Sequence, residues 1–282
     1  MQQRKSTILV LGASGRLGTL LRAHWALNPA DGCEIWFQSR SPLPGPNTIE
    51  WTPGQPVTAL PRCQTVVALW GQTAGTAQEL TRNVSLADES RAVARSTGAT
   101  RVLHLSSAAI YGPVENATEA TPASPVAAYG QSKWEMEQHI ATFRDDGTSH
   151  CCLRLANVVG ADSLAPALEV TAPVTLDRFE NSTGPMRSYI GARDLGGVMI
   201  ALARLSASHL PPVLNVAAPH PIAMQHLAEA AGKKIVWRTA PPEALQKVTV
   251  DSGRLRRLLP KLDLISDPET LIADWRKQTR NA

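Results

Sequence analysis

An apolar run ending in regularly spaced glycines limits most what this chain can become. Thr7-Ile8-Leu9-Val10-Leu11 leads straight into Gly12-Ala13-Ser14-Gly15-Arg16-Leu17-Gly18. A β-branched apolar run bounded by glycines reads as a buried strand and a tight turn. The stripe Leu17, Leu20, Leu21 and Trp25 that follows reads as a helix ending near Asn28-Pro29. Such a unit aims the free N–H groups and positive dipole end of the helix at the turn, which suits a phosphate. Gly12 would turn the chain off the strand, Gly15 would let a pyrophosphate approach the backbone, and Gly18 would let the helix pack on the strand. The spacing is G-x-x-G-x-x-G rather than G-x-G-x-x-G. Taken alone, it does not separate a nucleotide site from a tight structural loop.

The next segments repeat the alternation. Glu34-Ile35-Trp36-Phe37-Gln38 reads as a second strand, ending in Ser39-Arg40. In a dinucleotide fold this end, roughly 20 residues past the glycines, lies beside the adenosine ribose. No acid stands at Gln38, Ser39 or Arg40 to accept a 2′-hydroxyl. Arg40, helped by Arg16, suits a 2′-phosphate, which favours NADP and leaves NAD as the other option. A proline- and glycine-rich stretch over 41–61 holds a short strand at Ile49-Glu50-Trp51. Thr65 to Trp70 reads as another strand, placing Leu69 and Trp70 at its carboxyl edge, where ligands gather in parallel sheets. Residues 77–97 read as one long helix stopped by Gly98, and Arg101 to Leu105 as the next strand, followed by Ser106-Ser107. This alternation predicts an α/β chain with a doubly wound parallel Rossmann sheet.

Bulk properties remove several function classes. With 282 residues and 43% hydrophobic content, the chain can bury a sizeable core. The net charge of +4 is spread along the chain with no basic run, which argues against a nucleic-acid partner. No apolar stretch approaches a membrane span. The four cysteines, Cys33, Cys63, Cys151 and Cys152, form no C-x-x-C and read as reduced thiols of a soluble cytoplasmic protein. The seven histidines show no ligand spacing, so no metal site is expected.

Two stretches carry chemistry. Ser106-Ser107-Ala108-Ala109-Ile110-Tyr111-Gly112 lies at a strand end, and Tyr129-Gly130-Gln131-Ser132-Lys133 opens a helical segment. Tyr129 and Lys133 stand one turn apart on one helix face. An ammonium beside a phenol favours the phenolate, so Lys133 is expected to lower the pKa of Tyr129. A phenol tuned in this way can exchange a proton with a substrate hydroxyl or carbonyl, while Ser107 orients and polarises the same oxygen.

On these residues the chain resembles the extended short-chain dehydrogenase/reductases, the NAD-dependent epimerase/dehydratase family, over nearly its whole length. The resemblance implies Ser107, Tyr129 and Lys133 as catalytic residues. It implies a cofactor site of Gly12, Ser14, Gly15, Arg16, Leu17, Gly18, Arg40, Leu69, Asn83, Tyr129 and Lys133, with Lys133 also on the nicotinamide ribose. For substrate it implies Tyr111, Asn157 in Leu153-Arg154-Leu155-Ala156-Asn157-Val158-Val159-Gly160, and Arg187 in Arg187-Ser188-Tyr189-Ile190. In the family's sugar-nucleotide enzymes the arginine of the latter segment meets the substrate phosphate.

The expected layout is a nicotinamide-dinucleotide-binding domain over 1–160 and 187–218, with a small substrate lobe over 161–186 and 219–282. The expected activity is hydride transfer at a hydroxyl or carbonyl carbon of a small, sugar-nucleotide-like molecule, as net reduction, epimerisation or dehydration. The alternative is a non-catalytic dinucleotide sensor or partner-binding protein on the same fold, which would have no use for the Ser-Tyr-Lys set. In many relatives the helices over 77–97 and around Tyr129 pair two subunits, so a homodimer through them is a further expectation.

Overall fold

The alternating apolar runs are realised as a parallel sheet covered on both faces. The computed structural model describes residues 6–143 and 147–280. The strands are β1 (Ser6–Leu11), β2 (Cys33–Ser39), β3 (Thr48–Glu50), β4 (Thr65–Ala68), β5 (Arg101–Ser107) and β6 (Ser149–Leu155). The short strands β7 (Asn157–Val158), β8 (Val174–Arg178), β9 (Met186–Arg187) and β10 (Tyr189–Ile190) follow. Strand β11 (Val213–Val216) returns to the main sheet before β12 (Ile222–Ala223), β13 (Ile235–Thr239) and β14 (Lys247–Val248). The helices are α1 (Arg16–Leu27), α2 (Ala77–Leu80), α3 (Arg82–Thr97), α4 (Ala128–Ile140) and α5 (Ala165–Glu169). They continue with α6 (Ala192–Arg204), α7 (Met224–Ala230), α8 (Gly253–Leu258) and α9 (Pro268–Thr279).

The main sheet has seven strands in the order β11-β6-β5-β4-β1-β2-β3, and every pairing in it is parallel. The chain winds outward in one direction from β1 and in the other from β4. The order therefore reverses between these two neighbours, and a crevice opens at their carboxyl ends. Both faces of β1 are covered, which explains its unbroken apolar run. Ile8 and Val10 pack with Trp25, Leu195 and Met199, while Leu9 and Leu11 pack with Trp51, Val93 and Val102. Each such fully buried Ile or Leu contributes about 1.5–3 kcal/mol.

The expected helix over 77–97 is two pieces, α2 and α3, divided at Thr81. Thr76 and Glu79 form a capping box on α2, so the first turn has its own start signal. Gly98 ends α3 in the left-handed conformation at φ 77°.

The lobe has its own apolar core of Leu164, Leu168, Val174, Leu176, Leu227 and Trp275, which meets the sheet layer through Leu20 of α1. The outer strands are arranged as β7 with β10, β9 between β12 and β14, and β8 with β13. Leu255, Leu259 and Leu264, from the stretch expected in the lobe, pack instead in the main core with Leu214 and Val216. Among the described residues, no helix is long and apolar enough to cross a membrane.

Candidate active site

The glycine turn lies at the sheet's switch point. Gly12 has φ +79°, and a Cβ there would stand 2.8 Å from the backbone of Trp70, so both conformation and the closeness of the 69–72 loop demand glycine. A Cβ on Gly18 would stand 2.6 Å from the Ala13 carbonyl oxygen, the close helix–strand approach expected from the sequence. Gly15 stands at the N-cap of α1 and has no side chain to cap it, leaving the N–H groups of the first turn open to a ligand.

One continuous cleft runs along these carboxyl ends. The half expected to take the adenosine is lined by Gly12, Ser14, Gly15, Arg40, Leu69 and Trp70, together with Gln38, Ser39, Gln72 and Arg82. The other half, about 540 Å³, is lined by Arg16, Leu17, Gly18, Ser107, Tyr129 and Lys133, together with Asn157 and Asp162. Strand, helix and turn thus bring the expected Ser-Tyr-Lys set and most of the expected dinucleotide contacts to one surface. An uncapped helix start, a carbonyl-anchored lysine and a cleft of this length fit an extended dinucleotide.

Gln38 has a role that sequence reasoning missed. Its Oε1 accepts from the Gly12 N–H at 2.9 Å and its Nε2 donates to the Trp51 carbonyl, so the amide braces the glycine turn. Arg82, at the start of α3, was also missed. It reaches the adenosine half from a helix distant in sequence from the glycine turn.

Asn83 differs from expectation. It is fully buried and is not among the residues lining the cleft. Its Oδ1 accepts from Gln72 N at 3.0 Å, and its Nδ2 donates to Gln72 O at 3.0 Å and Ser132 Oγ at 3.0 Å. It clamps the loop after β4 to α4, so its bearing on a cofactor is indirect.

The expected Ser-Tyr-Lys set also departs from the expected electrostatics. Lys133 is 3% exposed and donates from Nζ to the Leu105 carbonyl at 2.8 Å. Burial pushes its ammonium down to about 8, against the opposing pull of Cys152 and Glu137. Tyr129 is half-buried. Burial pushes its phenol above the usual range, and the Ser107 hydroxyl beside it draws it part of the way back. The lowering expected from Lys133 is not present, because the ammonium is directed to the strand carbonyl.

Behind the set lies a buried polar network. Glu137, one turn beyond Lys133, accepts from Ser106 Oγ and is held bidentately by Arg154, with Nη2–Oε2 at 2.8 Å. Arg154 Nη1 donates to Tyr111 Oη at 2.9 Å, and Tyr111 donates to Asn215 Oδ1 at 2.7 Å. Tyr111 is 2% exposed within this network. That is a correction to the substrate contact expected of it, because both its ring and its hydroxyl are enclosed in the core. The signal available in the sequence was the i, i+4 spacing of Lys133 and Glu137 and a charge, Arg154, inside an apolar strand.

A second cavity of about 430 Å³ opens between the sheet and the lobe. Ser107, Asn157, Asp177, Arg187 and Arg238 line it, and Ser107 and Asn157 also line the first cleft. Arg187 Nη1 donates to Met186 O at 2.7 Å and Gln246 O at 2.9 Å, and Nη2 to Leu245 O at 2.7 Å. The guanidinium carries five N–H donors, so its Nε edge stays available. Arg238 pairs with Asp177 at 2.6 Å on the exposed face of β13.

A family model for the NAD dependent epimerase/dehydratase family matches residues 8–217. The chain belongs to this family. The match takes in the glycine turn, Ser107, Tyr129, Lys133 and all seven main-sheet strands except the first residues of β1. This family member is 27% identical over 209 residues to a UDP-glucose 4-epimerase of Lactobacillus helveticus, covering 61% of this chain. It spans only 62% of that relative's length. Among solved structures, MoeE5 in complex with UDP-glucuronic acid and NAD superposes with a TM-score of 0.78 at 19% identity, covering 98% of this chain and 99% of that one. UDP-glucose 4-epimerase from Thermotoga maritima, with UDP-glucose, gives a TM-score of 0.74 at 19% identity over 97% and 99%. The NAD-dependent NDP-hexosamine 5,6-dehydratase TunA gives 0.75 at 18% over 99% of both chains. At these identities the likeness is one of fold.

Proposed function

We propose that this family member is an oxidoreductase or epimerase/dehydratase that moves hydride at a hydroxyl-bearing carbon of a nucleotide-linked sugar. The observation that carries the reading is the convergence of Ser107, Tyr129 and Lys133 on the cleft that starts at the uncapped turn of α1. When bound, the nicotinamide supplies the hydride acceptor or donor. Tyr129 exchanges the proton with the substrate oxygen, and Ser107, beside the phenol, holds that oxygen and takes up part of its developing charge. Lys133, held by the Leu105 carbonyl, offers its remaining N–H groups to the ribose hydroxyls.

Substrate enters by the cavity between sheet and lobe, whose volume falls in the range of small-molecule sites. Asn157, shared by the two cavities, contacts it near the reacting carbon. An anionic group of the substrate is met by the Nε edge of Arg187 and by Arg238. The relatives named above with nucleotide sugars in their titles support that substrate class.

For the cofactor, the family supports a nicotinamide dinucleotide, and the neighbours named above that carry a dinucleotide carry NAD. We favour NADP for this chain. Arg40 and Arg82 both line the adenosine half, and no carboxylate is among its lining residues to accept a 2′-hydroxyl. The outward surface of α3 and α4 bears Ser85, Asp88, Arg95, Gln131 and Gln138, a polar set that makes the expected pairing of subunits there weak. The free cysteines, with Cys63, Cys151 and Cys152 buried, suit a reducing compartment such as the cytoplasm.

Titration calorimetry with NADPH and NADH tests the cofactor, and turnover of a panel of nucleotide sugars tests the reaction. Tyr129→Phe is expected to lower kcat by about 10²–10⁴-fold with cofactor affinity retained. Unchanged turnover in that variant would remove Tyr129 from the chemistry.

A further inference from the structure

The Glu137–Arg154 pair is closed off from both cavities, and the chemistry described above makes no use of it. The two side chains are 3% and 6% exposed, yet a buried ion pair is not an economical way to stabilise a core. Its position is informative. Glu137 lies on α4 four residues after Lys133, on the same helix face and at the same depth. Its carboxylate takes the hydroxyl of Ser106, the residue next to Ser107 on β5. Its other contacts go to Arg154 of β6, three residues before Asn157. One carboxylate therefore joins the helix bearing Tyr129 and Lys133, the strand bearing Ser107, and the strand leading to Asn157. Arg154 is itself enclosed, with the rings of Tyr111 and Trp134 at 4.9 Å and 5.9 Å from its guanidinium carbon.

We propose that Glu137, clamped by Arg154, is the positioning residue of this site: it fixes α4 against β5 and β6 and holds a carboxylate one helical turn from the Lys133 ammonium.

Other groups around Lys133 do not supply that charge. Cys152 of β6 also opposes the lowering of the lysine, but burial pushes its thiol well above the ordinary range, so near pH 7 it does so as a neutral group and not as an anion. His104 of β5 is pushed well below its ordinary value by burial and by the His150 and Lys133 charges, so it is neutral as well. Arg154 is cationic and so cannot be a counter-charge. Tyr129 is protonated near neutral pH, its phenol being raised by burial. Glu137, paired with Arg154, is thus the carboxylate that acts on the lysine from the elements packed around it.

The proposal rests on the assignment of Lys133 to the site but not on any substrate, so the test needs none. Competitive acetylation with trace acetic anhydride, read by mass spectrometry across pH, gives the titration midpoint of Lys133. Protection by NADPH or NADH marks the label as lying in the cleft. The parent midpoint is expected at about 8. Glu137→Gln keeps the shape and the Ser106 contact but removes the charge, and its midpoint is expected to fall by about one pH unit. Glu137→Asp restores the charge, and its midpoint is expected to return to the parent value. If Glu137→Gln does not fold, the double variant Glu137→Leu/Arg154→Met, which replaces the pair by apolar side chains, is read by the same criterion. A midpoint that stays at the parent value in the charge-removed variant overturns the proposal. So does one that falls as far in Glu137→Asp as in Glu137→Gln, because then only packing is at stake. Failure to find a nucleotide-sugar substrate leaves these readings untouched.

Discussion

Replacing Lys133 by methionine should make the protein more stable near neutral pH while removing its activity. The folded chain holds this ammonium in a buried position where its pKa drops from 10.5 to about 8, with the attraction of Glu137 already counted. The drop corresponds to about 3 kcal/mol of penalty for carrying the charge at pH 7. Methionine fills a similar unbranched volume without charge. It forfeits the hydrogen bond to the Leu105 carbonyl, which costs about 1 kcal/mol. The net gain is about 2 kcal/mol, or a rise in Tm of about 4 °C for a chain of this size. Below pH 8 the lysine is charged both folded and unfolded, so the gain is fully present. As pH rises through 8 the folded lysine loses its proton first and the penalty fades, and by about 10.5 it is neutral in both states and the gain is gone. Urea denaturation of parent and variant at pH 7, 8.5 and 10 measures this directly. A variant less stable than the parent at pH 7, or a gain that does not shrink with pH, would refute the reasoning. Activity should fall with the loss of the proposed ribose contact, a trade of stability for function in which the charge is the costly part.

Two further substitutions probe the loop that faces the glycine turn. Asn83→Ala removes the clamp on Gln72 and leaves buried polar atoms without partners, so a loss of about 3 kcal/mol in a thermal melt is expected, with weaker dinucleotide binding by calorimetry. An unchanged dinucleotide affinity would show that the 69–72 loop holds its place without Asn83. Gly12→Ala combines φ +79° with a Cβ 2.8 Å from the Trp70 backbone, so a destabilisation of at least about 2 kcal/mol is expected, and binding should be lost. A soluble variant with parent-like affinity would mean that the loop yields more readily than its packing suggests.

What the chain encoded locally was legible. The buried strand β1, the turn at Gly12 and Gly15, the stripe of α1, the alternation of strands and helices, and Tyr129 with Lys133 on one helical turn all follow from patterns a few residues long. Periodicity and backbone stereochemistry operate at that range, and they suffice to determine the parallel sheet and the place of the cleft at its switch point. What depended on residues far apart in sequence was decided only by tertiary packing. Tyr111 and Asn83 were expected at the ligand. The fold instead commits one to Arg154 and Asn215 and the other to Gln72 and Ser132. Arg187 is held by carbonyls from residues 245 and 246, and Arg238 enters the same cavity from a strand the sequence left without a role. Lys133 was expected to lower the Tyr129 phenol. Burial and the Leu105 carbonyl determine otherwise, because desolvation and hydrogen-bond direction exist only once the chain has closed around the side chain. The sequence alone determined the glycine turn and the Ser-Tyr-Lys set that the protein brings to its cleft; the tertiary structure decided which other groups reach it and which still have a free hydrogen-bonding edge, because a buried polar group takes whatever partner the packing provides.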